Sequence, residues 1–165
     1  MAVVRFLQWL ALVLLASLAL AAVPAGAQTV GSPIPAGSNP RAVAVDPILN
    51  KVYILSEFTD QVIALDGATH ATTPIPTGSR PQYIAVNPTN HRVYVTNAND
   101  ATMTEIDGTT NTVVNTLGIG GNGPIAIDPI TNRIFVVRLS SAATDEVTIV
   151  DGNTDSWFSI ALDSF

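Results

Sequence analysis

The chain has 165 residues, with seven Lys and Arg against thirteen Asp and Glu, a net charge of −6 and no cysteine. An acidic balance excludes non-specific binding of nucleic acid or anionic lipid as its task. Without cysteine, it must hold together by packed apolar surface and not by disulfides.

Residues Met1–Ala27 are expected to lie outside the fold. Arg5 supplies a positive start, Phe6–Val23 is almost wholly apolar, and Ala25-Gly26-Ala27 gives a small-x-small cleavage pattern after the break at Pro24. This reads as a cleavable signal peptide, with the exported domain at Gln28–Phe165 and a secreted or periplasmic location. An uncleaved anchor is the rival reading, because the apolar run is nearly long enough to span a bilayer. After cleavage, no remaining stretch could span a membrane. Removing Arg5 leaves the remainder more acidic still.

From Val30 on, the chain reads as short strands separated by turns, with no helical period. Val30–Gly37 (VGSPIPAG), Thr72–Gly78 (TTPIPTG) and Thr112–Gly118 (TVVNTLG) form one strand type. A second comprises Arg41–Pro47 (RAVAVDP), Gln82–Pro88 (QYIAVNP) and Pro124–Pro129 (PIAIDP), and a third Lys51–Glu57, Arg92–Asn97 and Arg133–Arg138. The fourth is Gln61–Gly67, Met103–Gly108 and Glu146–Gly152, each closing on Asp-Gly. Turn signals at this spacing mark an all-β domain.

The series repeats. A shift of 41 residues lays Pro47 on Pro88 and Pro129, Lys51 on Arg92 and Arg133, and Tyr53 on Tyr94 and Phe135. Such a repeat outranks local propensity as a guide to architecture. The VAV, YIAV and IAI strands are apolar on both faces, as a strand buried between two sheets would be. Pro33, Pro35, Pro74 and Pro76 cannot donate to a ladder, so their strands belong at an edge. One buried strand, two intermediate ones and a Pro-bearing edge strand describe a propeller blade from axis to rim.

Tyr94-Val95-Thr96-Asn97, together with the G-x-x-P segments Gly37–Pro40 and Gly78–Pro81, resembles the YVTN-repeat (YncE-like) β-propeller family. The copies Tyr53–Ser56 and Phe135–Arg138 depart from the tetrapeptide, and Gly120–Pro124 displaces the third proline. The fold class is therefore all-β: four-stranded antiparallel blades in an incomplete ring of about three. The repeats run at about 30–71, 72–111 and 112–156, with a last rim strand at Trp157–Leu162. Closed propellers have about 4–8 blades. The expectation is a truncated fragment of a longer propeller, one of seven blades as the resemblance implies. A self-assembling partial ring is the alternative.

Signals of chemistry are sparse. The Asp-Gly pairs recur as turns should, with Asp bonding its own backbone and Gly accepting positive φ. Asp151–Asp155 resembles half a calcium loop, but Ser156 stands where Gly is needed and Leu162 where the bidentate Glu belongs. His70 and His91 both fall in turns and read as solvated; no zincin motif, nucleophile elbow or phosphate loop occurs. Gly118–Gly123 reads as a flexible connection from rim to hub. No catalytic residue, metal or cofactor is assigned.

Propeller function sits on the loops of one face, held by the rigid sheets. Those loops carry Arg41, Arg80, Glu57, Asp60, Asn97, Asn99, Asp100 and Arg138, and Arg41 and Arg80 could face an anionic ligand. Leu139–Glu146 holds an insertion relative to its copies, as binding faces often do. The function expected is an exported binding or interaction scaffold for a protein or small ligand, with missing blades or self-association covering the open faces. The alternative is a fragment of a lactonase- or lyase-like propeller enzyme whose catalytic residues lie largely in missing blades.

Overall fold

Valine, isoleucine, tyrosine and threonine favour a pleated surface with alternate side chains buried, and they alternate here through twelve strands. A computed structural model describes residues 31–138 and 145–162. The leader and the inserted segment 139–144 lie outside the described residues. The chain divides at Pro33; residues 31–33 have no regular structure, and the strands all belong to the unit that begins at Ile34.

The strands are β1 (Pro40–Asp46), β2 (Lys51–Ser56), β3 (Gln61–Asp66), β4 (Thr72–Pro76), β5 (Pro81–Asn87), β6 (Arg92–Asn97), β7 (Thr102–Asp107), β8 (Thr112–Leu117), β9 (Ile125–Asp128), β10 (Arg133–Arg138), β11 (Asp145–Asp151) and β12 (Ser156–Leu162). Each run of four is one antiparallel meander: β1-β2-β3-β4, β5-β6-β7-β8 and β9-β10-β11-β12. The fold is all-β, with three open four-stranded blades and no α-helix among the described residues. Hydrogen bonds join Thr72–Pro76 to the strand before it, so β4 closes the first blade. Pro74 and Pro76 lie on that outer edge, where a missing N–H costs no ladder bond.

The innermost strands β1, β5 and β9 lie side by side, and the blades stack face to face around them. Two apolar seams result. In the first, Tyr53, Leu55, Val62 and Ile75 of the first blade bury against Val93, Val95 and Ile106 of the second. In the second, Tyr94, Met103 and Ile119 meet Ile134, Val136 and Val150 of the third. Each such side chain contributes roughly 1.5–3 kcal/mol on burial. Tyr53 and Tyr94 are fully buried in equivalent places, as the repeat register requires. Phe135, next in that series, is only half-buried, and no further blade packs on its face among the described residues.

Three expectations are corrected here. Residues 31–37 form no strand; Pro33 and Pro35 cannot donate, and no neighbouring strand takes their side of the pairing. Strand β1 is not buried on both faces, since Val43 and Val45 are 62% and 54% exposed. Among the described residues, no blade lies against its far face. The connection Gly118–Gly123 is pinned and not loose: Ile119 is buried in the second seam, and Gly120 N donates to the Ala101 carbonyl at 3.0 Å.

Candidate binding face at the loop end

At one end of the blades, the loops after β2 and β6 meet the connections from rim to hub. Backbone hydrogen bonds tie them into a belt. Glu57 N donates to the Asn39 carbonyl at 3.3 Å, Thr77 N to Asp60 at 2.9 Å, Ala98 N to Arg80 at 2.9 Å, and Gly123 N to Val137 at 2.9 Å. The belt requires left-handed backbone at Asn39, Asp60, Arg80 and Ala101, whose φ values are 55°, 50°, 55° and 53°. Asn and Asp tolerate that region; Arg and Ala do not favour it.

The centre of the belt is Glu57, in a 3-10 turn over Glu57–Thr59. Its buried carboxylate accepts from Arg80 Nε at 3.0 Å, from Arg41 Nη1 at 3.1 Å and from Asn39 Nδ2 at 3.0 Å. The Arg80 hydrogen bond holds the Glu57 carboxyl below its usual range; burial opposes this, and Arg41 adds to it. Arg80 starts the second blade's approach, so the pair also clamps that connection to the first blade. Asp60 Oδ1 fixes the same place by accepting from Arg80 N at 2.7 Å.

The sequence thus identified residues that do converge. Arg41 and Arg80 share Glu57, and their side chains remain 39% and 55% exposed. Asn97 is buried and donates to Thr102 Oγ1 at 3.0 Å and Thr104 Oγ1 at 2.9 Å, shaping its own hairpin. Asp100 accepts from Ser79 N at 2.6 Å, and Asn99 reaches Ser79 Oγ at 3.4 Å. Arg138 pairs with Glu146 at 3.2 Å on the third blade. Phe58, which carried no motif, is 74% exposed beside Glu57. A solvent-facing aromatic on a hydrogen-bonded belt is the feature that sequence reasoning missed.

The opposite end holds a second pattern. Asp46 Oδ2 lies 2.8 Å from His91 Nδ1 across the first seam, and Asn87 Nδ2 donates to Asn132 Oδ1 at 2.8 Å across the second. His91 is therefore a paired seam residue and not a solvated turn residue; His70 is exposed, with φ 61°. The signal was present in the repeat, because the same 41-residue shift carries Asp46 to Asn87 and His91 to Asn132. Burial pushes the Asp46 carboxyl up, but the Leu49 and Ile48 amides and His91 outweigh it and hold it below its usual range.

The Asp-Gly turns also work differently from expectation. Asp66 Oδ1 caps Ala68 N and Thr69 N as predicted. Positive φ falls instead on His70, Asn111 and Asp155 at the far end of each turn. Gly108 is needed for close approach: a Cβ there would collide with the Tyr53 hydroxyl and lie 2.7 Å from the His91 carbonyl. Asp151 caps its own turn through Asn153 N at 2.9 Å.

No protein-family model matches the chain, and no curated protein matches it. Solved structures do. Hydrazine synthase from Kuenenia stuttgartiensis aligns with TM-score 0.70 and 18% identity over 85% of this chain and 40% of that one. The dihydro-heme d1 dehydrogenase NirN aligns with TM-score 0.60 and 17% identity over 76% of this chain and 29% of that one. Apo AztD from Citrobacter koseri aligns with TM-score 0.56 and 15% identity over 69% and 32%. This chain spans less than half the length of each. These are β-propeller proteins, and at such identity they establish the propeller-type fold alone.

Proposed function

We propose that the chain is an exported propeller-type binding scaffold of the YVTN-repeat kind, presenting its loop end to a protein or small ligand. The observation that carries this reading is the belt itself. Backbone bonds and the Glu57 clamp hold successive loops in one arrangement, and pre-ordered loops bind without the entropy cost of being ordered. Phe58 offers an exposed aromatic contact of the kind that anchors interfaces, and its amide donates to the Ser38 carbonyl at 3.4 Å. Tyr94–Asn97 and the two G-x-x-P segments support the family assignment, and Ala25–Ala27 supports export with cleavage before Gln28.

The test is site-specific photo-cross-linking in exporting cells, with a photoreactive residue at position 58 or 99. Discrete adducts at both, abolished by Glu57→Ala, fit the proposal. Adducts confined to probes on the sheet faces, with none at the loop end, overturn it. The mature N-terminus, read by mass spectrometry, should be Gln28.

A further inference from the structure

The first seam contains a cation receptor that the chain fills itself. Lys51 Nζ crosses from the first blade to the β7–β8 turn of the second. There it donates to the Gly108 carbonyl at 2.6 Å, to Asn111 Oδ1 at 3.0 Å and to the Thr109 carbonyl at 3.4 Å. Two bonds hold the turn in that form. Gly108 N donates to the His91 carbonyl at 2.8 Å, and Asn111 N, at φ 57°, donates to the Asp107 carbonyl at 2.8 Å.

The β11–β12 turn repeats this geometry in the second seam. Gly152 N donates to the Asn132 carbonyl at 2.9 Å, and Asp155 N, at φ 58°, to the Asp151 carbonyl at 2.8 Å. Gly152 and Asn153 therefore present carbonyls as Gly108 and Thr109 do, and Asp155 brings a carboxylate where Asn111 has an amide oxygen. The groups facing this turn differ from those of the first seam. Arg92, in the place of Lys51, turns to its own blade, with Nε 3.4 Å from Glu105 and Nη1 3.5 Å from Asp107. Glu105 is a buried carboxylate beside Tyr94, where the first blade has Ala64 beside Tyr53. Tyr94 is fully buried, and its hydroxyl lies 2.9 Å from where a Cβ on Gly152 would stand. That hydroxyl makes no hydrogen bond, and the Asn90 amide acts on it more weakly than Glu105, Arg92 or Asp155. Asp155 Oδ2 accepts from Asn115 Nδ2 at 2.7 Å, which leaves Oδ1 for another partner. Glu105, Asp107 and Asp155 bring three negative charges against the one positive charge of Arg92, a surplus of two.

We propose that the second seam binds a calcium ion between the β11–β12 turn and the second blade, held by Asp155, Glu105, the Tyr94 hydroxyl oxygen and the Gly152 carbonyl. The ion takes the place that the Lys51 ammonium takes in the first seam. Calcium accepts about six to eight oxygens, and carbonyls and waters serve it beside carboxylates. Such a mixed set is required, because among the described residues no three acidic, histidine or cysteine side chains are placed to hold a metal. Two charges match the local surplus, which favours calcium over sodium. Magnesium demands near-ideal octahedral geometry and gives up its waters reluctantly, which suits a fixed turn poorly. The site is not an EF-hand loop, since Asp151 caps its own turn through Asn153 N. It lies between two blades at the end away from the Glu57 belt, so it stands or falls apart from the binding role proposed for that belt.

The test is calorimetric titration of calcium chloride into the chelator-treated full chain at neutral pH. One ion per chain should bind saturably, and magnesium and sodium should bind at least tenfold more weakly. Asp155→Asn and Glu105→Gln should each lower calcium affinity at least tenfold. Tyr94→Phe keeps the buried ring and removes one ligand oxygen, so it should weaken binding severalfold without loss of packing. Asp145→Asn, at an exposed carboxylate on the same blade, should leave binding unchanged. Calcium should also raise the thermal midpoint of the parent and leave that of Asp155→Asn where it was. Absence of saturable binding at millimolar calcium overturns the proposal. So does affinity undiminished in both Asp155→Asn and Tyr94→Phe, or magnesium binding as tightly as calcium.

Discussion

Tyr53 donates its hydroxyl across the first seam to the Gly108 carbonyl, at 3.2 Å. The ring fills the seam while the hydroxyl closes it against the next blade's turn. Burial pushes the phenol up to about 12, with Asp46 and Asp107 adding to the effect, so the hydroxyl remains a donor at any physiological pH.

Tyr53→Phe should cost about 0.5–1.5 kcal/mol, the net value of one hydrogen bond. Tyr94→Ala, which empties a fully buried site, should cost about 3–5 kcal/mol. Phe135→Ala should cost less than Tyr94→Ala, because one side of that ring lacks a neighbour. Urea denaturation of the three variants checks the ranking. A nearly neutral Tyr94→Ala would place the repeat in the wrong register.

Gly108→Ala should destabilise by about 1–3 kcal/mol through overpacking, since its Cβ meets the Tyr53 hydroxyl and the His91 carbonyl. Gly118→Ala has open space around its Cβ and should be neutral or stabilising by up to about 1 kcal/mol. Thermal melts of both test this; equal effects would mean that the glycine serves the turn and not the approach of the ring.

Much of this is legible in the sequence. Periodicity placed Tyr53, Tyr94 and Phe135 in equivalent sites, because a repeat reports spacing directly. Pro74 and Pro76 marked an outer strand, because a missing donor is readable residue by residue. The roles of Arg41 and Arg80 were not legible. Their charge pointed outward to a ligand, whereas both also donate to Glu57, in the turn that follows β2. The exposure of Val43 was misread because an apolar strand signals what it is built to touch, not what is present to touch it. His91 looked solvated because its partner, Asp46, belongs to the blade before.

Acid should loosen the first seam. The Asp46 carboxyl has a folded value below its ordinary 3.8. Its contribution is therefore complete above the ordinary value and is lost as pH falls through the folded one. Asp46→Asn should remove part of that acid sensitivity while lowering stability at neutral pH. Denaturation midpoints from pH 7 down to 2.5 measure this. Parallel curves for the two proteins would exclude Asp46 as a contributor.

Glu105 titrates in the opposite sense. Burial and then Asp155 raise its carboxyl above the usual range, Arg92 opposing them and Asp107 adding to them. Its folded form holds the proton more tightly than its unfolded form, so its cost appears as pH rises through the window above the ordinary 4.5. Glu105→Gln should therefore be more stable than the parent at pH 7, with the gap narrowing toward pH 4. A destabilised Glu105→Gln at pH 7 would show that the Arg92 contact, at 3.4 Å, outweighs burial.

Each seam draws its named contacts from two adjacent blades. A stack of this kind is modular, its stability a sum of unit and nearest-neighbour terms. Duplicating a blade at an end adds one interface and leaves the earlier ones chemically unaltered, so a gene can lengthen or shorten the array without redesigning its interior. Within that freedom, the pairing position differs between seams, Asp46 with His91 in one and Asn87 with Asn132 in the other. Neighbouring units are thereby chemically distinguishable while keeping a single geometry.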